Sequence, residues 1–218
     1  VALAQQLIEL HPWAQMARFA KTGGEINAVA IRIARAYTGK DKIAFCGYHG
    51  WHDWYLAANL SDEKNLDNQL LPGLSSRGVP KTLQGTTLPF HYGNIKELEK
   101  HVDNHKNEIG VIIMEVMRHM EMDLAFLKKV REIANSIGAV LIFDEISSGF
   151  RATTGGMHLL YDVTPDMATL GKALGNGYPI AAVLGKREVM EAAQETFISS
   201  TYWTDRIGFA AGLETIRQ

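Results

Sequence analysis

The residues of this chain best suited to chemistry are an acid and a lysine that close two apolar runs. The run AVLIF ends on the carboxylate pair Asp144 and Glu145. A second run, broken by Asp166 and ending near Leu170, delivers Lys172 among Gly171, Gly175 and Gly177. The interval between Asp144 and Lys172 holds a loop and one further strand. An acid and a lysine at neighbouring strand ends suit a cofactor that needs a cationic ring nitrogen and an imine link, and pyridoxal phosphate is that cofactor. Taken singly, each residue has a plain structural explanation: Asp144 as a helix cap or surface acid, Lys172 as a solvated lysine.

The elements that must position this pair follow from periodicity. Residues 2–10 form a short helix stopped by His11-Pro12, and residues 16–20 (MARFA) a brief strand. After Lys21-Thr22-Gly23-Gly24, apolar residues recur at helical spacing over 25–37, with Gly39 as the stop, and 42–46 (KIAFC) is the next strand. Strand, glycine turn, helix, strand is a βαβ unit and predicts a parallel sheet. Residues 95–105 form a helix and 110–116 a buried strand ending beyond Glu115. Asp123 caps a helix over 124–137 that Gly138 stops, and 139–143 is the strand feeding Asp144. A strand at 181–185, a helix at 187–194 and a terminal helix at 208–217 complete the pattern. Residues 59–94 are polar, rich in proline and glycine and without clear elements, a length that suits a substrate entrance or a subunit contact. The fold class expected is α/β, a three-layer α/β/α arrangement around a mostly parallel sheet.

In open parallel sheets functional groups gather beyond the carboxyl ends of the strands. Gly23 and Gly24, Tyr48, Glu115, Asp144 and Lys172 all fall at such ends, which weighs more than any one of them. The Gly23-Gly24 turn opens a helix, so free backbone N–H groups and the positive end of the helix dipole suit an anion, although a plain tight turn is the better explanation of the two glycines taken alone. The ring-rich stretch GYHGWHDWY offers Tyr48 as a stacking surface. His49, His52 and Asp53 there invite a metal reading, set against an aromatic cluster under a loop, and no further ligand joins at zinc spacing.

The 218 residues suffice for one substantial core, and one domain is the simplest count. A hydrophobic fraction of 46% with 21% charged residues is that of a globular protein, and a net charge of −2 favours neither nucleic acid nor an anionic membrane as partner. A single cysteine, Cys46, excludes an internal disulfide framework and fits a reducing, cytoplasmic setting. No apolar run approaches the ~20 residues of a membrane span. The chain starts at Val1 before an amphipathic segment and stops inside a helical pattern, so a piece of a longer chain is expected.

The blocks LIFDEISSGFR and VTPDMATLGKALGNGYPIAAVLG, with FAKTGGEINAVAIRIARAYTG and GYHG upstream, resemble the class III (ornithine- and glutamate-semialdehyde-type) aminotransferases of the pyridoxal phosphate fold-type I group. The resemblance runs from about Arg18 to the C-terminus. It implies that residues 1–218 are the large cofactor-binding domain, with an N-terminal segment and a C-terminal small domain missing. It implies that Lys172 is the Schiff-base lysine and proton shuttle, and that Asp144 is the partner of the pyridinium nitrogen. Ile146 and Tyr48 would pack on the two ring faces, and Thr22, Gly23, Gly24 and His49 complete the cofactor set. Thr201 would reach the phosphate of a neighbouring subunit, which implies a homodimer. The activity implied is transfer of an amino group between an amine donor and a carbonyl acceptor. An aminomutase of the glutamate-semialdehyde type and a non-catalytic cofactor-binding domain are the alternatives. Three departures stand out: Gly24 where the family's phosphate turn has threonine, Val116 where proline is usual, and Trp203-Thr204-Asp205-Arg206 after Thr201 in place of Ser-Gly-Asn-Pro.

Overall fold

A computed structural model describes residues 1–105, 107–117, 123–200 and 205–218. Its strands are β1 (Met16–Ala20), β2 (Lys42–Cys46), β3 (Thr87–Pro89), β4 (Ile109–Glu115), β5 (Val140–Asp144), β6 (Met167–Leu170) and β7 (Ala181–Gly185). Its helices are α1 (Ala2–Leu10), α2 (Gly23–Thr38), α3 (Asp53–Leu56), α4 (Ile95–His105), α5 (Leu124–Ile137), α6 (Arg187–Met190) and α7 (Ile207–Arg217). The seven strands form one sheet in the order β1-β7-β6-β5-β4-β2-β3.

All pairs among β6, β5, β4, β2 and β3 are parallel, and β7 is antiparallel to both β1 and β6. Six strands therefore run one way and β7 alone runs back. The link from Leu170 to Ala181 explains this, because a parallel return needs a crossover of about a dozen residues or more. The first βαβ unit differs from its simplest form: β1 and β2 share a direction but have four strands between them. Helix α2 crosses the face of the sheet from β1 past β7, β6 and β5 to β4. The second unit, β4-α5-β5, joins adjacent strands, with Glu115 opposite Asp144.

The period of two along each strand divides the core. Ile43, Phe45, Val111, Ile113, Val140, Ile142, Ala181 and Val183 face α2 and α6. Their alternates Ala44, Ile112, Met114, Leu141 and Phe143 face α4 and α5, and Leu170, Ala182 and Leu184 face α1 and α7. Three layers result, α/β/α. Among the described residues no helix is long and apolar enough to cross a membrane.

Residues 59–94 do contain a strand. The short β3 adds to the sheet edge beside β2, flanked by bonds from Ile43 N to Thr86 O and from Phe90 N to Phe45 O, both 2.9 Å. Its three residues include Pro89, which an edge strand tolerates and a central one does not. Helix α2 begins at Gly23, two residues before the apolar pattern does, because Thr22 caps it: the Thr22 hydroxyl accepts from Glu25 N at 3.3 Å, and Glu25 accepts from Lys21 N at 2.9 Å.

Candidate active site

Six strands that share a direction place six carboxyl ends along one edge of the sheet. A cavity of about 680 Å³ opens there, within the range of small-molecule and cofactor sites. Its wall includes Lys21 after β1, Gly23 and Asn27 of α2, Tyr48 and His49 after β2, Asp144 and Ile146 at the end of β5, and Lys172 after β6. Because β7 is antiparallel, its starting end also reaches this edge, bringing Tyr178, Pro179 and Ile180. Of the residues singled out in the sequence, Gly23, Tyr48, His49, Asp144, Ile146 and Lys172 line the cavity. Thr22 and Gly24 stand just behind it, and Thr201 lies outside the described residues.

Asp144 is 3% exposed, and both of its carboxylate oxygens are hydrogen-bonded. Oδ2 accepts from Asn27 Nδ2 at 2.7 Å and meets His49 Nδ1 at 2.8 Å, while Oδ1 accepts from Ile146 N at 3.0 Å. His49 Nε2 donates to Cys46 O at 3.1 Å, since a carbonyl oxygen can only accept. Both ring nitrogens of His49 are thus occupied, and they are unavailable to a metal. His52 instead stacks on Trp51 with ring centroids 5.2 Å apart, so the His49, His52 and Asp53 metal reading is not supported. Among the described residues no group of three or more histidines, cysteines or acids has metal-site geometry.

Asn27 was not legible as a site residue. It sits on the buried face of α2, accepts from Thr169 Oγ1 at 2.9 Å, and donates to both Asp144 and His49 O. An asparagine in the middle of a helix is costly unless it has partners, and that mild mismatch was the available signal.

Lys172 opens a 3₁₀ turn with φ of 43°, a left-handed conformation that a non-glycine residue rarely adopts without functional cause. Its Nζ donates to Ser147 Oγ at 2.7 Å. The second acid of the carboxylate pair points away from the cavity. Glu145 is fully buried and accepts from Ser148 Oγ at 3.1 Å and His158 N at 3.0 Å, and also from Met157 N and His158 Nδ1. His158 Nε2 accepts in turn from Trp13 Nε1 at 2.8 Å. Beside it, His11 donates to Leu7 O and accepts from Gly156 N, and burial pushes its pKa below the usual histidine value. Glu145 therefore fastens the loop after β5 to the α1–β1 connection, while Asp144 serves the cavity.

The turn at α2 is crowded, so that a larger residue would displace a neighbouring side chain. A Cβ on Gly23 would stand 2.9 Å from Ile146 Cδ1, and one on Gly24 would stand 2.8 Å from His52 Nδ1. His52 Nδ1 is itself buried with no hydrogen-bond partner among the described residues. A helix start with Lys21 adjoining it suits an anion. Lys21 pairs with Asp205, and its ammonium lies 5.0 Å from the Tyr178 ring centre.

Comparison with known proteins is consistent with this arrangement. The family model "Aminotransferase class-III" matches residues 1–218. The chain is 40% identical to 3-aminobutyryl-CoA aminotransferase of Cloacimonas acidaminovorans, over 98% of this chain and 49% of that protein. It is 38% identical to glutamate-1-semialdehyde 2,1-aminomutase of Sulfolobus acidocaldarius, over 99% of this chain and 52% of that protein. Among solved structures, an omega-transaminase from Sphaerobacter thermophilus superposes with a TM-score of 0.86 at 31% identity, covering 99% of this chain and 52% of that one. The FumI protein of Sphingopyxis sp. MTA144, solved in a PLP form, superposes with a TM-score of 0.86 at 25% identity, over 99% of this chain and 50% of that one. The chain spans about half the length of the curated relatives it matches. With the family model covering every residue, the chain belongs to the class III aminotransferases.

Proposed function

We propose that residues 1–218 are the large pyridoxal-phosphate-binding domain of an enzyme that moves an amino group between an amine donor and a carbonyl acceptor. The observation that carries this reading is the convergence of Lys172 and a buried, hydrogen-bonded Asp144 on one cavity with the Gly23 turn. The residues present fit the cofactor. The bare backbone of Gly23 on the cavity wall at the start of α2, where a Cβ would meet Ile146, suits a phosphate. When bound, pyridoxal phosphate supplies a cationic ring that withdraws electrons from a substrate carbon.

The chain's own residues do the rest. Asp144, held by Asn27, His49 and the Ile146 N–H, presents a fixed negative charge to a protonated ring nitrogen. Ile146 and Tyr48 both line the cavity and would take the two faces of the ring, forming a slot for a flat group. Lys172 would be the point of covalent attachment, and its Nζ, when free, would carry a proton to and from the substrate carbon. Ser147 Oγ holds that amine in reach. Thr22 supports the turn as the cap of α2 rather than from the cavity wall.

The same reading makes the enzyme a cytoplasmic homodimer, with Thr201 contributing to the partner's phosphate site. Buried Cys46, its thiol pKa pushed up by burial and by nearby Glu115 and Glu97, suits a reducing compartment. Trp51, 72% exposed beside the cavity residue Gly50, is an apolar surface that a second subunit would cover. The aminomutases among the relatives support a second reading, amino transfer within one molecule. The two part on whether steady turnover needs an external carbonyl acceptor.

The test is conversion of amines by the cofactor-loaded protein, followed by visible absorbance. Lys172→Ala is expected to lose about 10²–10⁴-fold in rate while retaining the fold. A rate equal to that of the parent protein would overturn the assignment.

A further inference from the structure

The loop after β5 carries a cation that the amino-transfer reading does not use. Three basic side chains line the cavity wall, Lys21, Arg151 and Lys172. Lys21 is paired with Asp205, and Lys172 is engaged by Ser147. Arg151 has no carboxylate within ion-pair distance among the described residues. Its one side-chain bond among the described residues runs from Nε to Ser147 O, at 2.5 Å. That bond leaves the two terminal amino groups of the guanidinium fork for another acceptor.

The loop holds this fork in place. Glu145, buried without exposure, accepts from Ser148, Met157 and His158 and so pins both arms of the loop. Gly149 N bonds to Glu145 O and Phe150 N to Gly155 O, each at 2.8 Å. Phe150 has φ of 58°, a costly conformation for an aromatic residue. It sends the Phe150 ring into the core under α1 and α7 while Arg151 returns to the cavity. One serine thus carries both groups: Ser147 Oγ receives Lys172, and Ser147 O receives Arg151.

We infer that Arg151 is the anchor for an acid group on the amine substrate, so that the enzyme takes amino acids whose carboxylate lies a few bonds from the amine. The inference rests on Lys172 being the amino-transfer lysine. A planar guanidinium offers a carboxylate two parallel N–H bonds, a match that a lysine point charge lacks. Set one serine away from Lys172 Nζ, it holds the carboxylate while the amine carbon faces that nitrogen.

The experiment uses the cofactor-loaded holoenzyme and matched amines: alanine against isopropylamine, and 4-aminobutyrate against butylamine. A charge-assisted pair contributes about 1.5–3 kcal/mol, so Arg151→Gln is expected to raise the half-saturating concentration of the reactive amino acid by roughly 10–100-fold. The response to the uncharged partner and the affinity of the apoprotein for pyridoxal phosphate, measured by equilibrium dialysis, should stay within twofold. Butyrate, which carries no amine, should bind the parent holoenzyme and perturb its visible band, and this response should vanish in Arg151→Gln and return in part in Arg151→Lys. Equal losses for both members of a pair, or a drop in cofactor affinity alone, would overturn the anchor and assign Arg151 to the cofactor. Reaction of the uncharged amines alone would also overturn it. No spectral response to any amine in the parent protein would overturn the amino-transfer reading itself, and the anchor with it.

Discussion

Asp144 sits at a buried strand end with several groups facing it at once. Asn27 supplies the shortest of those bonds, at 2.7 Å, and spends its own oxygen on Thr169 at 2.9 Å. Removing it leaves a buried carboxylate short of one donor and Thr169 short of one acceptor. Hydrogen bonds to charged groups contribute about 1.5–3 kcal/mol, so Asn27→Ala should lower the unfolding free energy by roughly that amount in urea melts. The same change should slow amine conversion more than it weakens cofactor binding, since the side chain acts through Asp144; an unaltered melt would contradict this role. Asp144 and Lys172 were legible in the sequence because their types and their places at the ends of apolar runs limit what they can do. Asn27, Ser147 and Arg151 were not, because a helix-borne asparagine and two loop residues reveal their partners only once α2 is laid over β5 and β6. Glu145 was read as one of a pair with Asp144, yet successive residues at a strand end point to opposite sides, which sends it to His158 instead of the cavity.

At the scale of elements, α2 ties the edge strand β1 to the central strands while aiming its first turn at the cavity. Its start is set by Thr22 and its end by Gly39, which adopts the left-handed conformation of a helix stop. Gly23 must stay small because Ile146 leans on it. Gly23→Ala would push the Ile146 side chain into the slot, and the affinity for pyridoxal phosphate should fall about tenfold or more, a shift of roughly 1.4 kcal/mol. Far-ultraviolet circular dichroism should be unchanged, since the far end of one side chain can give way; undiminished cofactor affinity would contradict the cradle. Helix boundaries were readable because caps and glycine stops are local signals: Asp123 and Gly138 bracket α5 as expected, with Asp123 accepting from Phe126 N at 3.0 Å. The direction of β7 and the existence of β3 were less readable. The first depends on the length of a link, and the second on pairing with β2 that no run of apolar residues announces.

The whole molecule is organised to bring distant stretches of chain to one edge of one sheet. Lys21, Tyr48, Asp144 and Lys172 come from four separate strand ends and meet because all four strands share a direction. The buried Asp166 secures the opposite end: it accepts from Leu141 N and Arg131, both at 2.8 Å, and from Lys186 at 2.6 Å, joining α5, β5, β6 and the segment after β7. Burial raises its pKa, but the Arg131 charge and these bonds outweigh burial and hold it below the usual aspartate value. A scaffold braced in this way keeps Lys172 fixed relative to the turn of α2, and the account stands or falls on Lys172. The direct measurement is borohydride treatment of the cofactor-loaded protein followed by peptide mass mapping. The pyridoxyl mass is predicted on the peptide containing Lys172 and is predicted to disappear in Lys172→Ala. Label on Lys21 in its place, or label undiminished in Lys172→Ala, would contradict the account.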